Sequence, residues 1–284
     1  MQNSPLAPTT SPSVKTQLPP LRVADDTFVI SDHQGEGTDP VVVHLNSMLI
    51  RGAQPVVVDT GVPSNRSDYL NDLFNLVEPA DVRWVFLSHD DIDHYGNLDA
   101  VMAACPNATL ITNWFAAQRL PFGELGIAPN RWRWLADDEP LDIGDRTVVA
   151  IRPPLYDAPT TRGLLDTRTR TYWAADCFAA PVPAPTYDMA ELDIELWSEG
   201  FVQFQQWNSP WVESLDIARW HRTIDAFEAH GVRAIASCHG PAIHEPRIGT
   251  AIELLRRLPE LPPTPQPGQE LLDLIIASAQ PQSA

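Results

Sequence analysis

The sequence predicts a layered α/β domain with mixed sheets flanked by helices. Three observations carry that expectation. Runs of β-branched residues punctuated by Gly, Pro and Asp crowd the first third of the chain. Two later segments, between residues 189 and 231, place apolar residues at 3-4-3 spacing, the mark of amphipathic helices. Strand-like runs stand on either side of those helices, so strands with helices are followed by strands with helices again. The 284 residues, 44% of them hydrophobic, can bury a substantial core, and no internal repeat divides them.

Residues 1–20, MQNSPLAPTTSPSVKTQLPP, are rich in Pro, Ser and Thr and read as a disordered leader. They have no apolar h-region, so they are not a signal peptide. TFVI (27–30), VVVHLNSMLI (41–50) and PVVVD (55–59) read as strands. SNRSDYLNDLFNLV (64–77) puts Tyr69, Leu70, Leu73, Phe74 and Val77 at helical spacing, and VRWVFL (82–87) is a strand running directly into SHDDIDHYG. Asn97 is placed to cap a short helix that Cys105-Pro106 ends. TLIT (109–112), RWRWL (131–135) and RTVVAIR (146–152) are further strands, with Trp132 and Trp134 on one side by alternation.

GLLDTRTRTYWAAD (163–176) is a hairpin leading to Asp176. The first helical stripe is Ile194, Trp197, Phe201 and Phe204; the second is Ile217, Trp220, Ile224 and Phe227, with Gly231 placed to end it. The strand VRAIAS (232–237) then runs into CHGP. These elements define one body over residues 21–258. Residues 259–284 form a Pro-rich tail in which Leu271 to Ile276 is a short apolar segment able to dock as a helix.

The formal charge of −18 repels phosphate backbones and leaves nucleic acid as an unexpected partner; its simplest role is solubility. The three cysteines, Cys105, Cys177 and Cys238, show no disulfide spacing, and no apolar run is long enough to span a bilayer. A cytoplasmic protein with a small-molecule substrate and no membrane partner is expected.

SHDDIDHYG is denser in His and Asp than a turn requires. In an extended loop His89 and Asp91 project to one side, whereas Asp93 and His94 follow a local turn and face a second point. Imidazoles and carboxylates from one loop make half of a two-metal cage, and aspartates this close repel one another without a cation. The other half must come from elsewhere. Asp176 and His239 both stand at the carboxyl ends of apolar strands; singly each would pass as a turn residue, and the first loop makes them candidate ligands.

Together these segments resemble the metallo-β-lactamase superfamily. SHDDIDHYG is similar to its H-x-[HED]-x-D-H signature, VVVDTG (56–61) to the strand whose aspartate, here Asp59, supports the metal loop, AADCF (174–178) to the bridging-aspartate segment, and SCHGP (237–241) to the last histidine. The resemblance covers almost the whole body. It implies an αββα sandwich with two divalent metals at the edge between the sheets, held by His89, Asp91, Asp93, His94, Asp176 and His239.

Two departures bear on function. Asp91 stands where hydrolases of the superfamily usually have a histidine, and an acidic residue there marks the oxygen-binding diiron domain of flavodiiron proteins; HLNSMLI (44–50) also resembles a strand of that branch. The electron-supplying flavodoxin module of that branch is expected to be missing, so its role would fall to a separate partner. In addition, no histidine lies between His94 and His221, although the superfamily expects one in the loop after RTVVAIR. That position falls at Tyr156 or Asp157, either of which would be an additional ligand, unless water completes the site. One metal would then have Asp93, His94, Asp176 and His239, and the other His89, Asp91 and Asp176.

Three functions compete on sequence alone. The first is a metal-dependent hydrolase in which a bridging hydroxide attacks an ester, thioester or phosphoester, with Asp93 as the catalytic residue orienting the nucleophile. It stands first because most domains of the superfamily hydrolyse. The second is a diiron protein that binds, reduces or senses oxygen. The third is a non-catalytic scaffold with a degenerate single-metal site. The metals would be iron or zinc, with manganese a further candidate. Arg162 is a candidate anchor for a substrate carboxylate. Cys177 and Cys238 adjoin proposed ligands and read either as redox partners or as small buried apolar residues. The aromatic segment from Tyr187 to Trp211 reads as a roof over the site or as core.

Overall fold

The computed structural model describes residues 16, 18–37, 39, 41–120 and 125–279. The first half of the chain contributes β1 (Leu21–Ala24), β2 (Thr27–Ile30), β3 (His33–Gln34), β4 (Val43–His44), β5 (Ser47–Ile50), β6 (Val56–Val58), α1 (Arg66–Leu76), β7 (Trp84–Phe86), α2 (Ile92–Tyr95), α3 (Leu98–Ala104), β8 (Thr109–Thr112), α4 (Trp114–Arg119) and β9 (Trp132–Trp134). The second half contributes β10 (Pro140–Asp142), β11 (Thr147–Ile151), β12 (Gly163–Asp166), β13 (Thr171–Trp173), α5 (Ile194–Asn208), α6 (Ile217–Glu228), β14 (Ala234–Ala236), β15 (Ile243–His244), α7 (Arg247–Arg257) and α8 (Gln269–Ala279).

Two large sheets result. One has the order β1-β2-β5-β6-β7-β8-β9, the other β10-β11-β12-β13-β14-β15. In the first, β6 to β9 run parallel; in the second, β13 and β14 are the parallel pair. Strands alternate between two apolar surroundings, which explains why VVV and SMLI show no polar face. Met48, Ile50, Val56, Val58 and Phe86 of the first sheet pack on Val148, Ala150, Leu164, Trp173 and Ala236 of the second. Leu49, Val57 and Val85 point the other way, onto Tyr69 and Leu73 of α1 and Leu98 and Val101 of α3. On the far side, Leu165, Tyr172 and Ile235 meet Trp197, Phe201, Trp220, Ile224, Phe227 and Leu255 of α5, α6 and α7. The layers are therefore helix, sheet, sheet, helix: the αββα sandwich of a metallo-β-lactamase-like fold.

Several local readings change. VVVHLNSMLI is not one strand: β4 pairs with β3 in a separate two-stranded sheet, and the chain breaks at Leu45-Asn46 before β5. Asn97 precedes α3 but makes no side-chain cap; its amide donates to the carbonyls of Thr60 and Val62. Phe204 leaves the core stripe and faces His239, with ring centroids 5.6 Å apart. Of the expected leader, residues 1–15 and 17 lie outside the described residues, while Leu18 is buried. The tail runs back along α5, where Gln206 accepts from Thr264 and Trp207 donates to the Thr264 carbonyl. The apolar segment of the tail forms α8, on which Leu272, Leu274 and Ile276 are exposed. Among the described residues no helix is long and apolar enough to cross a membrane.

Candidate metal centre

The loops that leave β6, β7, β11, β13 and β14 converge at one edge of the sandwich. Each follows the carboxyl end of its strand, so backbone direction brings together residues far apart in sequence. Asp59 follows β6 with a left-handed backbone (φ 55°), and Ala175 takes the same conformation (φ 53°) one residue before Asp176. Such a backbone costs a non-glycine residue about 1 kcal/mol or more. Both sharp turns aim an acidic side chain back into the sandwich edge. Gly96 lets α2 pack against the Gly61–Pro63 segment: a Cβ there would collide with Pro63 Cδ and sit 2.6 Å from the Gly61 oxygen.

Three imidazoles present Nε2 to a common space because their Nδ1 atoms are engaged elsewhere. His94 Nδ1 donates to Asp59 Oδ2 at 2.8 Å. His239 Nδ1 donates to the carbonyl of His44 at 2.9 Å. His89 Nδ1 lies 3.1 Å from Ser88 Oγ, which in turn donates to Asp59. Asp59 is fully buried and also accepts from the Ser88 amide and Trp173 Nε1, so a single carboxylate orients the whole first loop.

Asp176 lies between the imidazoles. Its Oδ1 is 3.0 Å from His94 Nε2 and 3.2 Å from His239 Nε2, and its Oδ2 is 3.8 Å from His89 Nε2. Asp93 Oδ2 is 3.2 Å from His239 Nε2 and 3.8 Å from His94 Nε2. His89 Nε2 also faces Asp91 Oδ2 at 3.7 Å and Asp157 Oδ2 at 3.6 Å. All six residues singled out as ligands thus meet at one site, together with Asp157.

Electrostatics agree with a site built for positive charge. Burial acts to raise the Asp176 carboxyl, but the imidazoles of His239, His94 and His89 outweigh it and hold the group well below the usual range. Asp93 likewise falls to about 2, burial being overcome by His239 and His94. Asp91 moves up, through burial and the charges of Asp157 and Asp176, which outweigh His89. Burial acts to lower His94 and His239, yet the surrounding negative charge raises both. His89 Nε2, His94 Nε2 and Asp176 Oδ1 are buried without a hydrogen-bond partner. Buried polar atoms are rarely left so. A cation among them would satisfy all three, so this donor set fits a metal pair.

A sequence profile of the metallo-beta-lactamase superfamily matches residues 40–155, the stretch that carries the first loop and its supporting strands. Over that stretch the chain is similar to the metallo-β-lactamase superfamily, and its fold agrees. It is also similar in sequence to diflavin flavoproteins and in fold to flavodiiron cores. It is 31% identical over 136 residues to a protein named diflavin flavoprotein A 1 of Thermosynechococcus vestitus, covering 48% of this chain and 24% of that one. Likeness to diflavin flavoprotein A 2 of Nostoc is also 31%, over 134 residues, 47% of this chain and 23% of the relative. This chain therefore spans about a quarter of the length of the curated relatives it matches. The metal-soaked Flv1 flavodiiron core from Synechocystis superposes with a TM-score of 0.72 at 18% identity, over 87% of this chain and 62% of that structure. Rubredoxin oxygen:oxidoreductase from Desulfovibrio gigas gives 0.70 at 14% identity, over 86% and 62%.

For this metallo-β-lactamase fold the departures noted in the sequence take physical form. Asp157 faces His89 where an imidazole was expected, and Thr161 Oγ1 fixes its other oxygen at 2.7 Å. Tyr156 is turned away onto Trp211, ring centroids 5.0 Å apart, and beneath the Arg152 guanidinium. Arg162 is engaged by Asp137 and the carbonyls of Pro159 and Thr161, so its guanidinium serves the loop rather than a free anchoring position.

Three positioning residues were not anticipated. Asp90 ties the first loop to the Asp157 loop through Thr160 and to α4 through Arg119. Asn46 donates to the carbonyls of Ser237 and Gly240, clamping the turn that carries His239. Trp173 reaches Asp59 across the sandwich. A buried asparagine in a strand-like run was the one signal for Asn46; the partners of Asp90 and Trp173 had none.

Proposed function

We propose that the chain holds two iron ions and binds and reduces oxygen with electrons from a separate donor. The observation that carries this reading is the oxygen-rich donor set around His89: one imidazole with Asp91, Asp157 and Asp176. Such a set suits harder ions than a histidine-rich zinc site does. The likeness to diflavin flavoproteins and flavodiiron cores supports it, and the hydrolase expectation put first on sequence yields to it. Three overlapping groups of donors at this edge also argue against a degenerate single-metal scaffold.

On this reading His94, His239 and Asp93 would hold one ion, His89, Asp91 and Asp157 the other, and Asp176, which faces all three imidazoles, would serve either. Bound there, the ions would relay the donor's electrons and supply the Lewis acidity that oxygen reduction needs. The chain's own residues do the rest. Asp59 keeps the His94 proton on Nδ1 and so leaves Nε2 as a donor. Phe204 packs on His239 at that flank. Asp91, with its side chain 49% exposed, marks the open side, where a small molecule and protons enter.

The test is metal analysis of protein purified without added metal, followed by oxygen uptake in the presence of a reduced flavin. Two irons per chain and oxygen consumption that needs both iron and donor are expected. Zinc in place of iron, with turnover of an ester and no oxygen uptake, would return the hydrolase.

A further inference from the structure

We propose that Cys238 is a thiolate ligand of the metal position formed by Asp93, His94 and His239. The proposal rests on the metal-centre reading above and adds a donor to it. One ligand atom each from Asp93, His94, Cys238 and His239 lie within 4.8 Å of one another. Donors around a single ion, with a metal–sulfur bond of about 2.3 Å and metal–nitrogen bonds of about 2.0–2.1 Å, stand at such separations. The thiol is fully buried, and its backbone is fixed on both sides: its amide donates to Ala175 O at 2.8 Å, and its carbonyl accepts from Asn46 at 2.9 Å. His94 Nε2, also fully buried and without a hydrogen bond, is aimed into the same group.

The competing role is packing, since Cys238 also touches the core between the sheets. Packing alone does not account for sulfur lying among three ligating side chains. The other two cysteines supply a contrast: Cys177 is buried in the cluster beneath α5 and α6, and Cys105 in the cluster around α1 and α3.

Binding replaces the S–H bond with a sulfur–metal bond and releases one proton to solvent; no electrons are transferred. The two metal positions then differ in kind. One has sulfur, two nitrogens and carboxylate oxygen; the other has one nitrogen and three carboxylates. The first favours softer ions and the second harder ones.

The whole chain loaded with cobalt(II) alone, and separately with zinc, tests this. A thiolate-to-cobalt charge-transfer band in the near ultraviolet is expected; it persists in Cys177→Ser and is lost in Cys238→Ser. X-ray absorption of the zinc-loaded wild type should show a sulfur shell at about 2.3 Å, a readout that stands even if Cys238→Ser fails to fold. Two bound metals with neither band nor sulfur shell would leave the metal centre standing and overturn the role of Cys238. A band that disappears in Cys177→Ser instead would also overturn it. A chain that binds no metal would overturn both readings.

Discussion

Asp157 replaces an imidazole with a carboxylate, and its neighbours decide what that does. Its Oδ2 faces His89, and Thr161 holds its other oxygen. Asp157→Asn is expected to bring metal content from two ions per chain toward one, as measured by elemental analysis after dialysis against a chelator. Tyr156→Phe should leave content and colour unchanged, because the phenol ring packs on Trp211. Equal losses in both variants would contradict the assignment. Asp59 acts through others: it organises Ser88, His94 and Trp173 without meeting the common space itself. Asp59→Asn presents an amide to the His94 proton, and loss of such support typically weakens metal binding about 10–100-fold. Competition with a chromophoric chelator checks this, and an unchanged affinity would show that Asp59 serves stability alone. The main candidate ligands were legible because the segments that carry them follow apolar runs. The Asp90 and Asn46 contacts were not, since a polar side chain that fastens a distant carbonyl or loop leaves no local pattern.

Strands and helices were legible where burial imposes a period. The stripe of α6 puts Trp220, Ile224 and Phe227 against the second sheet, and Asp216 caps the helix by accepting from the Arg219 amide. Phe227→Ala should destabilise the chain by about 3–5 kcal/mol, read from urea unfolding. A loss below about 1 kcal/mol would show that the layer repacks. The break in VVVHLNSMLI was not legible, because both halves are apolar and the interruption is imposed by Asn46 reaching the Ser237–Gly240 turn. β15 is joined to the segment before α5 by His244 Nδ1 and Asp188 Oδ2, 2.6 Å apart. The hydrogen bond to Asp188 raises His244, although burial opposes the rise. Burial would raise Asp188, but His244 outweighs it and the carboxyl falls. Stability from the raised histidine is complete below its unfolded value, about 6.5, and is lost as pH rises through its folded value. Stability from the lowered carboxylate is complete above its unfolded value, about 3.9, and is lost as pH falls through its folded value. The stability difference between wild type and His244→Gln should therefore be largest between about pH 4 and 6.5 and shrink on either side. A difference independent of pH would remove the ion pair from the account.

At the scale of the whole molecule, the sandwich makes the site by bringing five strand ends to one edge. Neither sheet holds the whole candidate site: the first supplies the His89–His94 loop and its support Asp59, the second Asp157, Asp176 and His239. The layered class was legible from the order of strands and helices, and its family from motifs at those strand ends. The metal chemistry was less so, since the choice of Asp157 over Tyr156 and the place of Cys238 among candidate donors depend on neighbours far along the chain. The formal charge of −18 predicts no salt-sensitive gel shift with DNA or RNA, and tight binding would contradict that reading of the surface. On the proposed reading one edge of the sandwich holds two metal ions with unequal surroundings. Anomalous X-ray scattering at the iron edge, from crystals of protein purified without added metal, tests it most directly. Two peaks are expected, one among Asp93, His94 and His239 and one among His89, Asp91 and Asp157, with Asp176 within bonding distance of both. A single peak, or no peak near His89, would contradict it.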